Sequence, residues 1–96
     1  MFGARAFNPK GDEQVTVSGT AIGITLPSGA VRAVIQVTAN AIYFTEDGGT
    51  PSSSNGLEAN AGDILNYLDA NYASVLGKFK AIRQSSDAVL KIEYYD

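Results

Sequence analysis

The stretch "AVLKIEYY", Ala88 to Tyr95, decides the fold class. Ala88, Leu90, Ile92 and Tyr94 alternate with Val89, Lys91, Glu93 and Tyr95. That is the two-residue period of a strand with one face turned to a core. Working back from it, the same period returns in pieces. Phe79, Ala81 and Arg83 alternate with Lys80 and Ile82, and Ala33, Ile35 and Val37 alternate with Arg32, Val34, Gln36 and Thr38. Ile22, Ile24 and Leu26 alternate with Gly23 and Thr25, and Val15 and Val17 with Thr16 and Ser18. Ala41 to Thr45 is a further apolar, aromatic-rich run after Asn40, and Pro27-Ser28-Gly29 punctuates. Short strands with turn signals every ~8–12 residues predict an all-β chain. The expected form is a single antiparallel β-sandwich, jelly-roll or Ig-like, over residues 13–96.

The longest polar interruption is "YFTEDGGTPSSSNG", Tyr43 to Gly56. Asp47-Gly48 after an aromatic strand predicts a hairpin turn, because glycine accepts positive φ. Thr50-Pro51 keeps the chain extended, Ser52 to Asn55 form a polar tip, and Gly56 turns it back. The glycine spacing is wrong for a phosphate loop, and no Lys-Ser/Thr pair opens a helix. Glu46, Asp47 and loop carbonyls could offer oxygens to calcium, but the alternating-acid loop with its terminal glutamate is missing. "NAGDILNYLDANYASVLGKF", Asn60 to Phe79, admits two readings. Ala61, Ile64, Leu65, Leu68, Tyr72, Val75 and Leu76 fit a helical stripe, with Asp63 as N-cap and Gly77 as C-cap. Ile64, Asn66 and Leu68 also fit a strand that starts after a Gly62-Asp63 turn.

Composition narrows the chemistry. The chain has 96 residues, 45% hydrophobic and 18% charged, enough for one domain near the lower size limit of a self-sufficient core. Its net charge of −3 argues against a nucleic-acid module, which needs clustered Lys and Arg. Cys and His are both absent, so there is no disulfide framework, no thiolate nucleophile and no imidazole base or ligand. Asp63 and Asp69 read as turn or cap residues rather than a hydrolytic carboxylate pair. Ser52, Ser53 and Ser54 have no histidine to activate them. Lys78, Lys80 and Arg83 form a small basic cluster near Asp87 and Glu93, read as a solvated edge. No catalytic, cofactor or metal residues are expected, and the chain is not expected to be an enzyme.

Residues 1–12, "MFGARAFNPKGD", lack periodicity and read as an N-terminal arm. They hold no apolar core of about seven residues or more, so a signal peptide is not expected, and no later segment approaches membrane-spanning length. Synthesis inside a cell is the expectation, with no membrane partner. Phe2 and Phe7 are large apolar residues in this arm, and Arg5 and Lys10 add charge. Docking into pockets of a neighbour accounts for them, as does folding back along the chain's own sandwich.

"AIYFTEDGGTPSSSNG", then "AGDIL", then "KFKAIRQSSDAVLKIEYY" together resemble a small β-sandwich protein of tailed-bacteriophage virions. The resemblance covers roughly residues 30–95, and Asp-Gly-x-x-Pro also resembles sandwich domains appended to bacterial chitobiase-like enzymes. It favours a strand over 63–69 with a short helical turn around 71–76. The role it implies is a capsid decoration (cement) protein, or a neck or tail component, made in the host cytoplasm and resident in the virion. The implied partners are the major capsid protein or other virion proteins. Interfaces favour aromatic and arginine side chains. The candidate contacts are therefore Phe2, Arg5, Phe7, Arg32, Tyr67, Tyr72, Arg83 and Tyr95, with Tyr94 beside them. A chain of this size with long strand edges is expected to pair with its own copies, as a trimer. The other function class is a carbohydrate-binding or host-adhesion module, for which Tyr72 with Asn66, Asp69 and Asn71 could present a ring beside polar groups.

Overall fold

Residues 7–96 are described by a computed structural model; Phe2 and Arg5 lie outside the described residues. The strands are β1 (Pro9–Val17), β2 (Ile22–Gly23), β3 (Arg32–Thr38), β4 (Ile42–Thr45), β5 (Leu57–Ala59), β6 (Ile64–Tyr67), β7 (Lys80–Arg83) and β8 (Ala88–Tyr95). One helix, α1 (Ala73–Lys78), precedes β7. Two four-stranded sheets form, in the orders β1-β8-β3-β6 and β2-β7-β4-β5, and all pairs are antiparallel. Each strand pairs with the one whose number completes nine: β1 with β8, β2 with β7, β3 with β6, β4 with β5. A long hairpin folded over on itself produces that order, so the sandwich is a jelly roll.

The alternation that predicts the strands also fills the core. Ala88, Leu90, Ile92 and Tyr94 are buried while Lys91 and Glu93 are exposed, and Ala33, Ile35 and Val37 face the same interior. Sheet register aligns them in rows, such as Val15–Leu90–Val37 and Tyr94–Ala33–Tyr67. From the second sheet Ile42, Phe44 and Ala81 close the other side, with Phe79 just ahead of β7.

Three expectations are corrected. The alternating Ile22–Leu26 segment pairs over only Ile22 and Gly23. The Thr25 N–H is taken at 3.0 Å by the Glu13 carboxylate instead of a neighbouring strand, which ends the ladder. The sandwich also begins before residue 13, since β1 starts at Pro9 inside the stretch read as arm. A register shift between Pro9 and Gly11 breaks the two-residue period there, hiding the strand's first turn of pairing from the sequence pattern. Finally, Asp47-Gly48 bends the chain, with Gly48 at φ 88°, but does not complete the hairpin. The reversal is at Ser53-Ser54, where the Ser52 N–H donates to the Asn55 carbonyl at 2.9 Å and the Asn55 N–H returns at 3.3 Å.

The ambiguous segment resolves as strand, then helix. The Asn60 N–H donates to the Asp63 carboxylate at 2.7 Å and the Asp63 N–H to the Asn60 carbonyl at 3.0 Å, so Asp63 closes a turn rather than caps a helix. α1 runs through Gly77 to Lys78, with Phe79 in the C-cap position, and buries Leu76. Because strands alternate in direction, the connections sort by length. Those at 18–21, 39–41, 60–63 and 84–87 are short and share one end. Those at 24–31, 46–56 and 68–79 are long and share the other.

Candidate functional site

Of the candidate contacts, Phe7, Arg32, Tyr67, Tyr72 and Tyr95 gather at the long-loop end. Antiparallel register places Arg32, first in β3, opposite Tyr95, last in β8. The Phe7 ring joins them, with its centroid 6.4 Å from that of Tyr95 and the Arg32 guanidinium carbon 4.6 Å above it. Arg32 Nε donates to the Leu68 carbonyl at 3.1 Å and Nη1 to the Asp96 backbone oxygen at 2.7 Å. Asn8 ties the same corner: its backbone N–H and Nδ2 donate to the Asp96 carboxylate at 3.1 and 3.0 Å, and these bonds hold that carboxyl below the usual aspartate range. Phe7, Arg32 and Tyr95 are all half-buried. Phe7 thus folds back on its own sandwich, the second of the two outcomes open to it.

Next to this corner lies a tyrosine pair. Tyr67 and Tyr72 meet edge to face at 5.3 Å and 72°, a favourable aromatic geometry. The Tyr72 N–H donates to the Val31 carbonyl at 2.7 Å, which anchors the start of α1 beside β3. The Tyr72 hydroxyl donates to Asp69, and that bond raises its pKa. Tyr67 is buried and donates to Glu46 Oε2 at 2.5 Å. Tyr94, with no exposed surface, likewise donates to Glu13 Oε1 at 2.7 Å. Burial first, then the carboxylate partner, pushes both phenols well above the ordinary tyrosine value. Tyr67 and Tyr94 are therefore interior residues whose rings face the core. Arg83 stands apart at the short-turn end, exposed and paired with Asp87 at 2.5 Å.

Glu13 and Glu46 were missed as tyrosine partners by sequence reasoning, whereas Asp69 was grouped with Tyr72 there and does meet it. Glu13 carried a signal: it occupies the inward period of Val15 and Val17, so alternation alone turns a carboxylate toward the interior. Glu46 lies in a connection and carries no such signal.

These tyrosines give a pH prediction. A phenol whose pKa is raised in the folded state stabilises the fold fully below the unfolded tyrosine pKa of about 10, and that contribution fades as pH rises above it. Wild type is expected to lose about 1.4 kcal/mol more per pH unit above pH ~10 than Tyr67→Phe or Tyr94→Phe, each of which removes one retained proton. Urea unfolding across alkaline pH measures this; equal slopes for all three proteins would refute it.

Two surface concavities stand out among the described residues. A shallow one of about 660 Å³ lies on the outer face of the first sheet, lined by Asp12, Gln14, Gln36, Lys91 and Glu93 around Val34 and Ile64. A smaller one of about 320 Å³ sits against the β4–β5 connection, between Glu46, Asp47, Asn55 and Leu57. Among the described residues, no three acidic side chains converge as a metal site would require, and no helix is long and apolar enough to cross a membrane. No family model, curated protein or solved structure matches the chain.

Proposed function

We propose that this chain is a structural protein of a tailed-bacteriophage virion, acting as a capsid decoration (cement) protein through protein–protein contact. The observation that carries the reading is the convergence of Phe7, Arg32, Tyr72 and Tyr95, all half-buried, at the long-loop end of the sandwich. Aromatic and arginine side chains held rigidly at a partly exposed site have the composition of an interface centre. The jelly roll itself supports the reading only by analogy, since viral capsid domains and lectins both use it. In this reading copies of the chain attach to the major capsid protein or another virion protein and associate with one another, as a trimer.

The test is attachment to the native particle. Cryo-electron microscopy is expected to place the Phe7–Arg32–Tyr95 corner against the shell. A Phe7→Ala/Tyr95→Ala double variant is expected to fold yet bind at least about tenfold more weakly, the scale of a single interface hot spot. Wild-type attachment by that folded variant would remove the reading. A carbohydrate-binding or host-adhesion role has one observation in its favour, the polar-lined concavity on the first sheet. Glycan-dependent chemical shifts confined to Gln14, Gln36 and Lys91, with no attachment to the shell, would favour it instead.

A further inference from the structure

The four sheet edges are not treated alike. β1 carries Pro9, Lys10, a register shift at Gly11 and the inward carboxylate of Glu13, each a known device against edge-to-edge pairing. β2 has two residues and β5 three, with Glu58 at its centre, so both are too short to template much. β6, Ile64–Tyr67, has no charge, proline, glycine or bulge. Its one neighbour in the sheet is β3.

The hydrogen-bond phase of β6 says which backbone groups are free. The Val37 N–H donates to the Asp63 carbonyl at 2.9 Å, so that carbonyl points toward β3 and the N–H of the next residue, Ile64, points away from it. In an unbroken antiparallel ladder this direction alternates, so Leu65 and Tyr67 also face β3 while Ile64 and Asn66 face outward. Two N–H and two C=O groups therefore stand on the open edge, at positions two apart.

We propose that β6 pairs antiparallel with β6 of a second copy, about a two-fold axis through Leu65. That register sets Ile64 opposite the partner's Asn66, and Asn66 opposite the partner's Ile64. All four outward groups on each strand are then satisfied, in four interchain hydrogen bonds. Leu65, half-buried in one copy, meets its own counterpart. The register is self-complementary, as a closed two-fold contact requires. No charge on either β6 opposes it.

Exposed apolar surface points the same way. Of the three large hydrophobic side chains most exposed among the described residues, Ile64 (53%) is on β6 and Leu57 (55%) is on β5. The 60–63 turn joins those two strands from one sheet edge to the other, so both residues lie on one open side of the sandwich. A second copy seated on β6 covers that side. This contact does not depend on the proposed virion role, and as a two-fold contact it makes the free protein a dimer, separate from the trimer proposed on the particle.

The chain lacks cysteine, which makes a direct test clean. Facing Leu65 residues would occupy a non-hydrogen-bonded pair, with Cα atoms about 4.5 Å apart, inside the range a disulfide spans. Leu65→Cys is expected to form a covalent dimer under mild oxidation, and Ser54→Cys, on the β4–β5 tip, is not. By sedimentation, wild type is expected to shift with concentration toward twice its 10.1 kDa mass. Ile64→Pro deletes an outward N–H that has no partner within one copy, so it should keep the fold and lose the shift. A wild type that stays monomeric to millimolar concentration overturns the proposal, as does Leu65→Cys cross-linking no faster than Ser54→Cys. So does a folded Ile64→Pro that still associates.

Discussion

Gly56→Ala is expected to destabilise the protein by about 3–5 kcal/mol, a large part of the ~5–15 kcal/mol available to a domain. Gly56 holds φ at 112°, and a Cβ there would sit 2.5 Å from the Phe44 carbonyl oxygen and 3.0 Å from Thr45 Cγ2. Neither neighbour can retreat. Phe44 is bonded between β5 and β7, and the Thr45 hydroxyl is tied to the Gly49 carbonyl at 2.6 Å. Gly62→Ala separates the two causes. Its φ is 96°, but nothing lies within 4 Å of the added atom. Conformational strain alone should cost about 1–2 kcal/mol there. Thermal unfolding measures both, with roughly 4–8 °C lost per kcal/mol in a domain of this size. Equal costs at the two positions would show that backbone strain, and not the clash with Phe44, sets the loss at Gly56.

Phe79→Ala is expected to cost a similar amount, about 3–5 kcal/mol, by a different route. Phe79 is 1% exposed and stacks on Phe44 with centroids 5.6 Å apart and planes 24° from parallel. It follows α1 and leads into β7, so its ring locks the helix and the second sheet to one core. Truncation leaves a cavity that the surrounding strands cannot close without breaking their ladders. Phe79→Leu should recover more than half of the loss. Urea midpoints give the ranking, and a Phe79→Ala loss below about 1 kcal/mol would mean the site collapses freely.

Where side chains alternate between core and water, the fold was legible in the sequence. Ala88–Tyr95 and Arg32–Thr38 show it because each is a long strand with one buried face. Ile22–Leu26 misleads because alternation reports which face is apolar and says nothing about whether a neighbouring strand exists. Asn60–Phe79 is ambiguous because a four-residue strand and a six-residue helix follow each other too closely for either period to establish itself. Of the site, the residue types were legible and their meeting was not. Arg32 finds Tyr95 only through the β3–β8 register, and Phe7 arrives from the chain's other extreme. Nothing local distinguishes Tyr94, which is core, from Tyr95, which is half-exposed, except the phase of one strand.

The strand order has a consequence for how the chain is made. β8 lies between β1 and β3, so the first sheet is split until residues 88–95 leave the ribosome. The pairing partner of Thr16 is Val89, and until it appears β1 has no hydrogen-bonded neighbour. Only the β4–β5 hairpin and the β3–β6 pair can form from earlier sequence alone without waiting for β7 or β8. Such distant pairings place folding toward the slow end for small domains, on the order of milliseconds to seconds. A nascent chain stalled before residue 88 would expose β1 and β3 together as two unsatisfied edges. Until β8 is available, no other strand of the finished molecule covers β1, and the exposed pair of edges is the aggregation-prone state that folding must pass through.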